Sequence, residues 1–395
     1  MAAPKNTVAW HRNPLIRGLI AQALLIAVVV WGITTIYANT VANMEARGIQ
    51  IGFGFLNEVA PFGIAFSPFI DFNLGESTYL TVFFIGIQNT IIVSILGIIA
   101  ATILGFTVGI MRLSPNWFVS KIATVYIETF RNIPVLLQIM FWNFAVFLPF
   151  LPGPRESLSA GAGFFLNNRG AYVPKPIIEN ATANTAFWVA VAIGILAVYI
   201  LGKIARKRQE LTGAIMPGRL IGLGILVALV ALAAFVFGAP FGFDLPTLGR
   251  FNLTGGFEIP LPLFSLWFAL TTYTAAFIAE QVRGGIEAVS KGQWEAAGAL
   301  GLSRSHLLKL VIIPQAMRII VPPTISQYLN LTKNSSLATA IAYEDIVALW
   351  TGTSLNQTGQ ALIIVAMTVV VYELLSLLTS VALNIYNKRV QLVER

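Results

Sequence analysis

The chain has 395 residues, of which 56% are hydrophobic and 11% charged, with a mean hydropathy of +0.78 and a formal net charge of +8. A soluble domain carries about 25% charged residues, so this composition leaves too little polar surface for a water-soluble globule and points to an all-α polytopic membrane protein. The absence of cysteine excludes disulfides, thiol catalysis and Cys-ligated zinc, and two distant histidines, His11 and His306, make a histidine metal site unexpected.

Crossing a hydrocarbon core of about 30 Å takes roughly 20 apolar residues. Eight stretches meet that length: 15–37, 79–111, 124–150, 185–202, 220–240, 263–282, 323–349 and 359–386. The first has a basic start (Lys5, Arg12, Arg17) but is too long for a signal h-region, and reads as an uncleaved helix. Segment 38–78, with "GIQIGFGFLNEVAPFGIAFSPF", is rich in Gly and Phe and is expected to lie along the outer interface. The next stretch, 79–111, is longer than one crossing needs. Its Gly97, Ala101, Gly105 and Gly109 recur every four residues on one face, where small residues admit another helix, within this chain or from a neighbouring subunit. Stretch 124–150 carries Glu128, Arg131 and Pro134 near its start. Residues 151–184, with four prolines, and 241–262 read as loops between spans.

Lys and Arg orient these spans. With the N-terminus inside, only Arg47, Arg155, Arg169, Lys175 and Arg250 of the 25 lie outside, as expected when cytoplasmic loops are basic. Both termini are then cytoplasmic, and the +8 charge reflects topology, with no nucleic-acid partner expected. The longest polar inside segment is 284–323. Helix formers fill "KGQWEAAGAL" (291–300), Gly301 interrupts, and Ser303 can cap a second short helix over 304–312. Pro314 is expected to stop that helix, and Pro322-Pro323 to bar its continuation into the next span. Leu307, Leu308, Leu310 and Val311 form an apolar side opposite Arg304 and Lys309, which suits a compact elbow or an amphipathic loop resting on headgroups.

No G-x-x-x-x-G-K-[ST] phosphate loop occurs; "LGKIARK" (201–207) lacks both the Ser/Thr and the second Gly, so ATP is not expected to bind this chain by that route. No catalytic Ser/His/Asp set is apparent, and an enzyme is not expected. Polar residues inside spans usually face a cavity or a partner. The translocation-path candidates are Gln88, Asn89, Gln138, Asn143, Thr271, Thr272, Asn330 and Asn334, with Thr274, Gln327 and Glu373 in the wider set. Each has a structural alternative: threonine can bond its own helix, Glu280 and Arg283 are spaced for a local ion pair, and Lys333 suits a place near the membrane surface.

The frame Glu295-Ala296-Ala297, Gly301, Val311, Ile313, Pro314 resembles the EAA loop of ABC importer permeases, with Val and Ile where that pattern has Ile and Leu. "AEQVRGGIEAVSKGQWEAAGALGLS", "PQAMR", "KNSSLATAI" and "ETFRNIPVLLQIMFW" resemble the polar amino-acid branch, and the resemblance covers roughly residues 85–386. It implies a type I ABC importer transmembrane fold in the bacterial inner membrane. An N-terminal helix and interfacial segment (1–84) would precede the permease domain (85–386), and a cytoplasmic tail (387–395) would follow. In that family the two short helices dock on a separate cytoplasmic ATPase dimer, which holds ATP-Mg, so no cofactor is expected in this chain. A second, non-identical permease and a periplasmic amino-acid-binding protein are the other implied partners, with L-amino acids as cargo. A permease for another polar solute, such as an opine or polyamine-like cargo, is the alternative, with a secondary transporter behind it.

Overall fold

The computed structural model describes residues 14–46, 48, 52–249 and 252–390, without the side chains of 15 and 382–390. The expectations attached to Lys5, His11, Arg12, Arg47, Arg250 and Arg395, and to the Lys388 and Arg389 side chains, lie outside the described residues. Among those described, seven helices are long and apolar enough to cross a membrane, or up to eight if a bent pair counts as one span. They are α1 (Pro14–Ala46), α2 (Tyr79–Arg112), the bent pair α3 (Trp117–Asn132) and α4 (Val135–Phe150), α5 (Ala181–Thr212), α6 (Gly218–Phe237), α7 (Leu261–Glu287), α9 (Arg304–Ile341) and α10 (Ala361–Val390), with the short α8 (Lys291–Ala299) before α9.

The chain divides into two compact units. One runs to Ile139 and resumes at Leu266; the other is Met140–Ser265. The division expected at 84/85 falls inside α2, because residues 52–78 pack on the helices that follow. Phe55 and Ala60 join Tyr79, Val82, Ile85, Ile346 and Trp350 in one buried cluster, with the rings of Phe55 and Trp350 stacked at 5.8 Å. Within segment 38–78, α1 continues to Ala46, and residues 52–78 are anchored to the core through Phe55, Ala60 and Phe66 while most of their other side chains stay exposed or half-buried.

The four-residue stripe of α2 receives neighbours from within the chain. A Cβ at Gly105 would sit 2.7 Å from Ile278 Cβ, and one at Gly109 2.7 Å from both Ala279 O and Val282 Cβ, all on α7. Gly97 faces Leu331 on α9. Small residues let these backbones approach until van der Waals contact is continuous, which is the main attraction available where lipid replaces water.

Two proline expectations are corrected. Stretch 124–150 is not one helix, since α3 and α4 meet at 106° across Ile133–Pro134. Proline pushes the residue before it out of the helical region, and Ile133 is extended (φ −99°, ψ 128°). Pro134 cannot donate to Phe130 O, and the Gln138 Nε2 donates there instead at 2.8 Å, with a second bond to Ile133 O at 2.9 Å. Conversely, Pro314 and Pro322-Pro323 do not end a helix. Residues 304–307 pass through a π-helical stretch, Leu308–Ile312, into Ile313–Asn334, where Pro314 occupies the first turn. Deeper in, Thr324 Oγ1 donates to Ile320 O at 2.7 Å and to Gln281 Oε1 at 3.1 Å, while Gln281 Nε2 donates to Pro323 O at 3.4 Å. The helix thus continues through Pro322 and Pro323, whose missing N–H groups would have reached Arg318 O and Ile319 O, with Thr324 and Gln281 tying it at this point to α7. The span expected at 323–349 therefore begins far earlier and ends at Ile341, closed by Ala342 in the left-handed conformation (φ 56°).

The second unit adds β structure where loops were expected. Strands β1 (Leu158–Gly161), β2 (Phe164–Asn167) and β3 (Gly170–Val173) form an antiparallel sheet completed by β8 (Phe257–Pro260) in the order β1-β2-β3-β8. The buried Asn167 shapes the β2–β3 turn by accepting from Arg169 N and Gly170 N. Between these strands the α5–α6 hairpin leaves and returns through a two-stranded ribbon of β4 (Lys175–Ile177) and β5 (Gly242–Asp244); β6 (Thr247–Leu248) pairs with β7 (Leu253–Thr254).

Candidate functional site

The EAA residues form an exposed elbow between α7 and α9. Helix α8 ends with Leu300 N donating to Ala296 O (3.1 Å), Gly301 N to Gly298 O (2.9 Å) and Leu302 N to Ala297 O (3.3 Å). Gly301 has φ +71°, and no atom lies within 4 Å of where its Cβ would be, so the backbone conformation and not space calls for glycine. Ser303 then caps the next helix as expected, accepting from His306 N, with its hydroxyl 2.7 Å from His306 Nδ1. Glu295, Ala296, Leu300 and Gly301 are exposed; Ala297 is buried. Val311 and Pro314 are half-buried and Ile313 is exposed, all on the helix that continues into α9. A hydrogen bond from Gln315 Nε2 to Gln293 Oε1 at 3.1 Å ties α8 to α9, and a cavity of about 440 Å³ beneath the elbow is lined by Phe106, Leu113, Val282, Trp294, Arg304 and Met317.

The foot of α7 carries an ion network. Sequence spacing suggests the Glu280–Arg283 pair, which forms at 2.6 Å. Glu280 also accepts from Arg112 of α2 at 2.5 Å and lies 4.0 Å from Arg131 of α3; Arg112 reaches Glu128 at 3.5 Å, and Arg283 also pairs with Glu287. The ends of α2 and α3 are thus tied to the helix that leads into the elbow. Arg112 and Arg131 are far from Glu280 in sequence, and no local spacing could announce these contacts.

The intramembrane polar candidates are not gathered into one site. Asn89 is buried, with Nδ2 donating to Phe66 O (2.9 Å) and Glu344 O (2.8 Å) and its Oδ1 accepting from Gln88 Nε2 (3.2 Å). Gln138 holds the α3–α4 break, and Thr272 bonds Phe268 O and Ala269 O on its own helix. Thr271 Oγ1 and the Oε1 atoms of Gln88 and Gln138 are buried without a hydrogen-bond partner among the described residues. Asn143 is buried in the other unit, its Oδ1 likewise unpartnered. Asn330 is exposed, and Asn334 is half-buried at the end of its helical stretch.

A latch that sequence reasoning does not find lies at 343–346. The Glu344 carboxylate accepts from Ala65 N (2.9 Å) and Phe66 N (3.0 Å), Tyr343 donates to Asn89 O (3.0 Å), and Ile346 N donates to Thr90 Oγ1 (3.1 Å). These residues lie between the candidate spans α9 and α10. Burial raises Glu344 above the ordinary carboxylate range, opposed by its two backbone donors, and burial pushes Asp345 up to about 7, opposed by the Ala348 amide. Among the described residues no group of three or more His, Cys, Asp or Glu is arranged to hold a metal ion.

Comparison with known proteins adds a family and relatives. The family described as "Binding-protein-dependent transport system inner membrane component" matches residues 94–392. The putative amino-acid ABC transporter permease protein YhdX of Escherichia coli (strain K12) is 47% identical over 383 residues, 97% of this chain and 96% of that protein. The general L-amino acid transport system permease protein AapQ of Rhizobium johnstonii is 48% identical, over 97% of this chain and 94% of its own. The glutamate/glutamine/aspartate/asparagine transport system permease protein BztB of Rhodobacter capsulatus is 38% identical, over 96% and 95%.

Proposed function

Because the chain belongs to the family of inner-membrane components of binding-protein-dependent transport systems, we propose that it is the permease of an ATP-driven importer of L-amino acids, moved by a separate ATPase that grips the elbow around α8. The amino-acid cargo rests on what the relatives are described as carrying. The coupling role rests on one observation: α8 stands exposed between two long helices, the turn after it is set by a left-handed Gly301, and the helix that follows that turn runs without a break from Arg304 along α9. Closure of an ATPase dimer on Glu295, Ala296 and Gly301 would displace α7 and α9 together. The Glu280 network would carry that displacement to α2 and α3, a rigid-element shift of the kind that opens a cavity on alternate sides. A soluble amino-acid-binding protein delivers the cargo from outside, and a second, non-identical permease completes the pathway. Gln88, Gln138 and Thr271, with buried oxygens unbonded among the described residues, are the path residues this reading favours.

The test is Gly301→Asp in the assembled transporter. A side chain in the left-handed region costs about 1–2 kcal/mol, and the new carboxylate stands on the docking surface. The expected result is normal membrane insertion with uptake of labelled amino acid reduced to background while the ATPase still hydrolyses ATP. Normal uptake by this variant, with the ATPase bound, would overturn the docking role.

A further inference from the structure

We propose that the basic end of the α5–α6 hairpin is a binding site for the phosphate groups of anionic phospholipids. The two helices pack tightly on each other. Cβ positions at Gly194, Gly218 and Gly222 fall against Leu226, Leu201 and Val198. That packing fixes their relative height and brings cations from both helices to one level. A Cβ at Gly202 would lie 3.2 Å from Arg219 Cγ and 3.5 Å from its Nε, so Arg219 of α6 lies directly against α5. Lys203 follows Gly202, its ammonium 4.8 Å from the centre of the Tyr199 ring, and Arg206 is one turn further on the same side of α5 as Gly202. All three are exposed, with Lys207 and Arg208 just beyond.

No ion pair among the described residues involves any of these five cations; those that form join Arg112, Arg131 and Arg283 to Glu128, Glu280 and Glu287. Glu210 alone brings a negative charge into residues 203–219. Like charges converging from two helices repel, and an anion seated between them removes that cost. The level of the cluster says which anion. Apolar helix runs from Leu220 to Phe237 on one side and, on the other, up to Ile200, so Lys203 and Arg219 stand where hydrocarbon gives way to headgroups. Tyr199 one turn inward suits that boundary, since aromatic residues gather there. Basic clusters next to a membrane helix attract anionic headgroups at roughly fivefold in affinity per cation. The site needs two helices in register, and a basic run on one helix alone would not provide it.

The experiment uses the full-length chain equilibrated with phosphatidylglycerol and phosphatidylcholine of identical acyl chains, with retained lipid counted by native mass spectrometry. The wild type should retain phosphatidylglycerol preferentially. Replacing Lys203, Arg206 and Arg219 by glutamine should lower that preference by about tenfold or more, whereas Arg206→Lys with Arg219→Lys should keep it, which separates charge from folding. Glutamine at Arg155 and Lys175, cations of the β-containing part of the same unit, should leave the preference intact. An equal preference in the triple variant and the wild type, no preference in the wild type, or the same loss with the Arg155/Lys175 pair would overturn the proposal.

Discussion

Helices α6 and α7 differ in a direction that water-soluble proteins would reverse. The most apolar window of α6 has a mean hydropathy of 2.9 and only 6% of its residues buried by this chain; for α7 the values are 1.5 and 67%. In water the more apolar helix would be the one withdrawn into the core. In a bilayer the surroundings are as apolar as leucine, so lipid can cover α6, and what draws α7 inside is close packing and hydrogen bonding. Its buried face accordingly holds Ser265, Thr271, Thr272 and Thr274 with Ala269, Ala275, Ala276 and Ala279, and α2 meets it with glycines. Apolarity marks where lipid is; small and hydroxylated residues mark where protein is.

The largest test of that contrast places the same substitution on both sides of it. Gly109→Leu drives a side chain into Ala279 O and Val282, which are already in contact range, and should destabilise the chain by about 3 kcal/mol or more. Gly224→Leu adds the same atoms to α6 where nothing lies within 4 Å; loss of glycine's backbone freedom favours the helix by less than about 1 kcal/mol, so stability should hold or rise slightly. Thermal unfolding of both variants in detergent measures this, and equal effects would mean that the face of α6 carrying Gly224 is packed as closely as the α2–α7 contact.

The spans were legible in the sequence because a length of apolar chain is compared directly with the thickness of a bilayer, and the elbow because Gly301 and Ser303 act locally. What escaped was tertiary. Pro314, Pro322 and Pro323 look like helix stops, yet the helix runs through all three and is tied beside Pro323 to Gln281 of another helix, a partner 42 residues away. Pro134 did mark a break, but the replacement of its missing donor by Gln138 appears only in three dimensions. The strands of 158–173 are four residues each and interleaved with glycines, too short for alternation to rise above the loop signal. Of the site, the EAA residues were readable as a pattern. Glu344's partners, Ala65 and Phe66, are 279 and 278 residues away.

A smaller effect is expected where α7 carries charge. Glu280 is a quarter exposed and held by arginines from two other helices. Glu280→Ala leaves those cations facing each other, at a cost of about 2 kcal/mol, below the range for a fully buried pair because solvent reaches the site. Lys207→Ala at the exposed end of α5 should change stability by under about 0.5 kcal/mol. Urea unfolding of the two variants makes the comparison, and a neutral Glu280→Ala would show that the network orders the helix ends without stabilising them.

The smallest expected effect concerns Asp345, buried beside the cluster that joins residues 52–78 to α2 and α10. Its carboxylate accepts from Ala348 N at 2.8 Å and from Tyr372 Oη at 3.4 Å, with Tyr343 and Glu344 preceding it in the chain, and no cation is among these neighbours. Burial lifts it to about 7, so the native state keeps a proton that the unfolded chain has already released above about pH 4. The unfolded state then binds fewer protons, and stability falls with rising pH from about 4 until the native carboxylate ionises near 7, after which this group adds no further slope. Asn in its place can accept from Ala348 N and donate to Tyr372 without titrating. Asp345→Asn should therefore gain on the wild type by about 1 kcal/mol between about pH 6 and about pH 8. Glu344, also raised by burial, is present in both proteins and cancels from the difference. A gap between variant and wild type that does not change with pH would mean that Asp345 is ionised throughout this range, with its charge met by a cation or by water from outside this chain.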